Sequence, residues 1–377
     1  MKLYGIIAAL SLSAVLSGVV SVRAYALTED DISAKAAVVI EAGSGQVIYE
    51  KNKDMRLPMA STTKIMTTLL LIENGGLDDG FIVDSDAIHV EGSSMGLCEN
   101  DIVTPRALCT GMLLPSGNDA ANAAAVYVAG NIPDFVRLMN LRAGVMGLKN
   151  TRFVTPSGLH DDGHYSTAYD MARLAAYALG VPEFARICAM PQARVSFGSP
   201  PYERTLKNTN RLLGMYEGCI GVKTGFTDEA GRCLVSACER DGVRIVCVTL
   251  NDRDDWNDHI RMYDDAFSRT RPMTADVGEL SEPVAGAAGD IAVRAEGKLG
   301  YASVDGAVPG ITIKTIMPPF VYAPVKAGDA VGRAELYADG KKVSECVLAA
   351  AEDAEYIHIG KKTLFERIAE WFGIGGK

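Results

Sequence analysis

A single lysine constrains this chain more than any other residue. In the stretch PMASTTKIMTTLLL, Pro58 to Leu71, Lys64 is the only charged residue between Arg56 and Glu73, in a segment that otherwise reads as buried helix. An ammonium among Ile65, Met66 and Leu69 costs desolvation energy, and the amine relieves that cost by giving up its proton. Residues i and i+3 share a helix face, so Ser61 presents its hydroxyl beside that amine. The N-terminus of the helix adds unpaired N–H groups and a positive dipole end. A hydroxyl placed there has a base beside it and donors for an oxyanion, as a nucleophile requires. The plain alternative is a serine that caps a helix.

The 377 residues are 48% hydrophobic and 22% charged, enough for about two domains and a large core. The start, MKLYGIIAALSLSAVLSGVVSVRAYA, reads as an export signal over residues 1–26: basic Lys2, an apolar run, then Ala24-Tyr25-Ala26. An uncleaved membrane anchor is the alternative. Cleavage removes Lys2 and Arg23 and takes the net charge from −10 to −12, which disfavours nucleic acid as a partner. The eight cysteines show no C-x-x-C metal spacing and several lie in apolar runs; they read as mostly structural, with room for one or two bridges.

Along the chain, AAVVIEAGSGQVIYEKN reads as a hairpin about Ala42-Gly43-Ser44-Gly45. The Ser61 helix stops near Asn74-Gly75-Gly76. Helical patterns follow at Thr104–Leu114, Asp119–Val128, Ile132–Met146 and Thr167–Leu179, with Thr104 and Thr167 as caps. Two strands joined at Arg240-Asp241-Gly242 and a helix over Asp254–Ser268 close the region. Strands at both ends with helices between predict an α/β (α+β) fold with an antiparallel sheet packed against helices, over residues 27–272. Residues 276–358, rich in Val, Ala, Gly and Pro, predict a small all-β domain with turns at Asp305-Gly306 and Asp339-Gly340. In residues 361–374, Leu364, Phe365, Ile368, Trp371 and Phe372 share one face, which predicts an amphipathic helix for a membrane surface or for docking on the β domain.

Two further patches complete the pattern begun by Ser61 and Lys64. LPSGNDAANAAA sets Ser116, Gly117 and Asn118 in a turn before a helix, and GVKTGFTDEAG sets Lys223, Thr224 and Gly225 at the start of a hairpin. Ser-x-x-Lys, Ser-x-Asn and Lys-Thr-Gly in this order resemble the penicillin-binding proteins and serine β-lactamases. The wording of MASTTKIMT, MLLPSGNDAA and GVKTGFTDEAG looks most like the low-molecular-mass D-alanyl-D-alanine carboxypeptidases, and TPSGLHDDGHYSTAYDMARLA and LNDRDDWNDH match that family's texture. The resemblance covers Ala36 to Phe267 and implies the β-lactamase/transpeptidase-like fold. Gly117 stands where many β-lactamases carry Asp, and no Glu-x-x-Leu-Asn segment is present.

The resemblance implies a peptidoglycan stem peptide ending in D-Ala-D-Ala as substrate, β-lactams as inhibitors, and an extracytoplasmic site of action. Ser61 is then the nucleophile and Lys64 the base. Ser116 passes a proton to the leaving amine, and Asn118 holds the substrate amide and Lys64. Lys223 and Thr224 bind the terminal carboxylate. The N–H groups of Ser61 and Phe226 form the oxyanion hole, and Gly225 admits the substrate backbone. The chemistry calls for no metal or cofactor. At about 5 Å and an effective dielectric of about 20, the Lys223 charge disfavours a Lys64 ammonium by roughly 3 kcal/mol, a little over two pKa units.

Rival readings are a Ser-His-Asp hydrolase using His89, His160, His164, His259 or His358, for which no Gly-x-Ser-x-Gly elbow exists, and a zinc carboxypeptidase built on HDDGHYS. A penicillin- or wall-peptide-binding protein without turnover, a D,D-endopeptidase and a β-lactamase are the remaining alternatives.

Overall fold

The computed structural model describes residues 27–357; the expected export signal and amphipathic helix lie outside them, as does His358. Five strands form the central sheet: β1 (Ala36–Glu41), β2 (Val47–Lys51), β3 (Cys219–Thr227), β4 (Gly231–Arg240) and β5 (Val243–Asp252). They lie in the order β2-β1-β5-β4-β3, antiparallel throughout, with Val38 of β1 opposite Val248 of β5. β1 is apolar from Ala36 to Ile40 because both of its faces are covered. Ala36, Val38 and Ile40 enter one core, Ala37 and Val39 the other. At the β4–β5 turn, Asp241 and Gly242 both have positive φ, 52° and 78°, as the type I′ turn requires.

The larger core holds α1 (Lys64–Asn74), α2 (Pro105–Leu113), α3 (Asn118–Ala129), α4 (Ile132–Val145), α5 (Ala168–Leu179) and α6 (Pro182–Cys188) against one face of the sheet. The other face is covered by α7 (Asp255–Arg269), through Met262, Tyr263 and Ala266. Thr104 and Thr167 accept from the N–H groups of Ala107 and Asp170, at 3.2 and 3.1 Å, and so cap α2 and α5. α1 is buried from Lys64 to Leu71 and packs on α2, α3 and α5. It is the axis of the domain rather than a surface helix, and its apolar run follows from that.

Two local expectations need correction. Ser61 is not in the first turn of α1 but in a separate 3₁₀ turn, Ala60–Thr63, which runs into the helix at Lys64. The Thr62 and Thr63 hydroxyls donate back to the carbonyls of Met59 and Ala60, at 2.6 and 2.8 Å, and favour the tighter turn. A second sheet went unread: Phe81–Ile82, Ile102–Val103 and the hairpin of Gln192–Gly198 with Pro201–Lys207. Its long strands carry Arg194, Glu203, Arg204 and Lys207, so the polar residues masked the alternation.

The C-terminal region is built of strands around its own core of Val293, Leu299, Leu336 and Leu348. Its five-stranded sheet includes Ile291–Glu296, Ile311–Ile316, Ala330–Ala338 and Lys341–Ala350. The strand Thr270–Ala275, at the junction of the two regions, pairs with Leu299–Val304. All eight cysteines are free thiols, so the one or two bridges for which the sequence left room are not formed.

Candidate active site

Lys64 is fully buried, and its amine meets three oxygens: Ser61 Oγ at 2.8 Å, Asn118 Oδ1 at 2.7 Å and the Ser157 carbonyl at 2.7 Å. Asn118 is oriented by its own amide, which donates to the Glu91 carbonyl at 2.7 Å, so Oδ1 is the atom that faces Lys64. A carbonyl oxygen can only accept. The amine must therefore donate to Asn118 and Ser157 in either charge state. Only the contact with Ser61 can reverse. As an ammonium, Lys64 donates its third proton to Oγ; as a neutral amine, it turns its lone pair on the serine hydroxyl. The two fixed acceptors aim the base.

Burial first, then the charge of Lys223, holds the Lys64 amine well below the usual lysine range, while Asp119 pushes the other way. Lys223 is itself buried, and burial pushes it down to about 7. Both causes expected from sequence act on Lys64, with the apolar packing of α1 leading and the second lysine following.

Ser116 occupies the left-handed region at φ 67°, an uncommon conformation for a residue with a side chain. The turn is tied by the Gly117 N–H to the Gly111 carbonyl at 2.8 Å and by the Asn118 N–H to the Ser93 carbonyl at 2.7 Å. Asp119, next in sequence, collects the Ser94 hydroxyl (2.6 Å) and the N–H groups of Met95 (2.9 Å), Gly96 (3.0 Å) and Leu97 (3.0 Å). Its carboxylate organises the 93–97 segment along the cleft.

The third wall is β3, an edge strand of its sheet. Thr224 shares a 2.8 Å hydrogen bond with Thr209, and the Lys223 amine donates to the Thr224 carbonyl at 2.8 Å. Gly225 lies against the Ser61 turn: a Cβ there would stand 3.0 Å from the Ser61 nitrogen and 3.1 Å from Ala60 Cβ. The glycine therefore lets the nucleophile's own turn approach the strand, a role beyond admitting substrate. Phe226 is exposed at the mouth.

These walls enclose an open cleft of about 310 Å³, lined by Ser61, Ser116, Thr224, Gly225 and Phe226 among the expected residues. Ser93, Thr209, Arg232, Asp255 and Trp256 complete the lining and had not been singled out. Arg232 donates to both Asp255 oxygens, at 2.7 and 2.9 Å, and lies 5.5 Å from the Trp256 ring centroid. Lys64, Asn118 and Lys223 stand behind the cleft surface rather than on it. Ser157 was also missed; a backbone carbonyl leaves no mark in sequence.

Among the rival histidines, His259 contacts Ser236 Oγ at 2.6 Å, but both are fully buried where α7 packs on the sheet. His164 engages Thr63 with one ring nitrogen and backbone N–H groups with the other, so neither is free as a metal ligand.

Residues 23–254 match the family model described as D-alanyl-D-alanine carboxypeptidase, and residues 305–356 match the C-terminal domain of penicillin-binding protein 5. The chain is 34% identical over 359 residues to the D-alanyl-D-alanine carboxypeptidase DacF of Bacillus subtilis, covering 88% of this chain and 89% of that protein. Its structure resembles penicillin binding protein 5 from Haemophilus influenzae, with TM-score 0.61, 25% identity and coverage of 86% of this chain and 98% of that one. It also resembles a mutant Streptomyces DD-transpeptidase, with TM-score 0.60, 31% identity and coverage of 63% and 98%.

Proposed function

Because the chain belongs to the D-alanyl-D-alanine carboxypeptidase family of serine hydrolases, we propose that Ser61 is the residue acylated by a peptidoglycan stem peptide ending in D-Ala-D-Ala. The observation that carries the assignment is the Lys64 amine, whose two one-way acceptors leave only Ser61 to exchange a proton with it. Neutral Lys64 takes the hydroxyl proton as Oγ attacks the carbonyl of the penultimate D-Ala. The N–H groups of Ser61 and Phe226 receive the oxyanion. Ser116 relays the proton to the departing D-alanine amine. Water then hydrolyses the acyl-enzyme and restores the serine.

The substrate's carboxylate meets the hydroxyls of Thr224 and Thr209, with the Lys223 charge close behind them. Asn118 holds Lys64 through Oδ1, and the second proton of its amide nitrogen is the one left for the substrate amide once the peptide seats. The open edge of β3 accepts the extended peptide as an added strand. β-Lactams acylate the same serine, with no metal in the chemistry. Export through residues 1–26 and seating of residues 361–374 on the outer face of the cytoplasmic membrane belong to the same proposal and rest on sequence pattern.

Mass spectrometry of the protein incubated separately with penicillin and with a D-Ala-D-Ala pentapeptide tests this reading. The expected result is a penicilloyl group on the Ser61 peptide and release of free D-alanine, both lost in Ser61→Ala and Lys64→Ala. An acyl group on another residue, or activity that survives Ser61→Ala, overturns it. A penicilloyl adduct without any D-alanine release leaves a binding protein instead.

A further inference from the structure

The segment from Val154 to Tyr165 packs against Lys64, α1 and the Ser61 turn through three of its backbone positions. The Ser157 carbonyl accepts from Lys64 at 2.7 Å and the Pro156 carbonyl from the Thr67 hydroxyl of α1 at 2.6 Å. Gly158, at φ +88°, lies so close to the Ser61 turn that a Cβ would stand 2.0 Å from the Ala60 carbonyl oxygen. At the far end of the segment, His164 is buried, and both of its ring nitrogens are engaged. Nδ1 faces the N–H groups of Val154 at 2.9 Å and Thr155 at 3.3 Å. Nε2 lies 2.7 Å from Thr63 Oγ1, whose proton goes to the Ala60 carbonyl at 2.8 Å.

These contacts admit one proton arrangement. Backbone N–H groups only donate, so Nδ1 must offer a lone pair. The Thr63 hydroxyl has spent its proton on Ala60, so it must accept from Nε2–H. The chain runs from the Val154 N–H through a neutral imidazole and Thr63 to the Ala60 carbonyl, next to Ser61. Protonating Nδ1 would set two N–H groups against each other, and burial, which pushes this histidine down to about 4, disfavours that state too.

We propose that His164 is a positioning residue of the active site: as the neutral Nε2–H tautomer it pins the base of the 154–165 segment to the Ser61 turn, and so fixes the Ser157 carbonyl that aims the Lys64 amine. This rests on the Ser61–Lys64 reading above. Removing the pin frees the carbonyl, and displacement of a reacting group by about 1 Å costs on the order of 100-fold in rate. Substrate affinity does not pass through this contact, because neither His164 nor Thr63 lines the cleft.

The test is steady-state D-alanine release and penicillin acylation by the full chain, for His164→Ala, His164→Asn, His164→Gln and Thr63→Val, alone and combined, each variant first checked by circular dichroism. His164→Ala is expected to lose kcat and the acylation rate by about 100-fold, with KM held within a few-fold. His164→Asn keeps an acceptor for the Val154 N–H and His164→Gln a donor for Thr63, so each recovers part of the loss. Thr63→Val loses rate in the same way and adds little to His164→Ala. If His164→Ala does not fold, the Thr63→Val and His164→Asn rates decide the matter. Wild-type kcat in the folded variants, a loss confined to KM, or fully additive losses overturn the proposal. Ser61→Ala in the same assay separates the two readings: if it stays active, the nucleophile assignment fails; if it is dead while the His164 and Thr63 variants are unaffected, only the positioning role fails.

Discussion

Lys64 and Lys223 are two buried amines with different company, and their behaviour with pH should separate them. Lys64 has three oxygen partners and is driven neutral by burial and by its neighbour's charge. Lys223 donates to the Thr224 carbonyl, and burial pushes its amine down to about 7. In the proposed mechanism the Lys223 cation attracts the substrate carboxylate. The charged form is complete below pH 7 and is lost as pH rises through it, so binding weakens in that direction. KM for a pentapeptide should rise by up to about tenfold per unit above pH 7, since one pKa unit corresponds to a tenfold change in population. kcat should not fall in parallel, because Lys64 acts as the neutral amine. A KM that stays flat between pH 6 and 9 would remove Lys223 from carboxylate recognition. The pair Lys64 and Ser61 was legible in sequence because an ammonium in an apolar helix is expensive. Asp119, Thr209 and Ser157 were not, because a carboxylate capping a loop, a threonine in a turn and a carbonyl look the same wherever they occur.

At the level of elements, the helix ends expected from sequence agree with the structure to within one or two residues, apart from the start of α1 at Lys64. Thr104 before Pro105, Thr167 before α5 and Asp241-Gly242 each satisfy a local hydrogen-bond or φ requirement that does not depend on the rest of the fold. The Thr167 cap provides a clean measurement. Thr167→Ala should lower unfolding stability by about 1 kcal/mol, seen as a shifted denaturant midpoint, with penicillin acylation unchanged. An unaltered midpoint would mean that tertiary packing alone holds the start of α5. The edge hairpin of Gln192–Gly198 with Pro201–Lys207 escaped notice for the converse reason. Several of its positions face solvent, so period-2 apolarity is diluted and only pairing, with Val195 opposite Arg204, defines it.

Over the whole molecule, the two regions are coupled more tightly than composition suggested. Thr270–Ala275 pairs with Leu299–Val304, and Ala302 and Val304 join Met262 and Tyr263 in the core beneath α7. Arg269 adds bonds to both Asp305 oxygens at 2.8 and 2.7 Å, and Lys341 donates to the Ser44 carbonyl at 2.6 Å. A chain ended after Ala275 would leave that strand unpaired and that core edge uncovered. Its melting temperature should fall, while Ser61 still acylates, because the site is built from the sheet and α1 to α3. An unchanged melting temperature would show that the C-terminal strands add nothing to the catalytic region.

What the sequence by itself determined is whatever depends on near neighbours along the chain: the lysine three residues after a serine, the caps, the I′ turns, and the three short motifs in their order. Tertiary structure alone decided how far each lysine is shifted, since desolvation depends on what packs around the amine. It also decided which oxygens aim Lys64, and that Gly225 and Gly158 make room for the Ser61 turn. Those facts are distances between segments 54 or more residues apart, and such distances exist only once the core has closed.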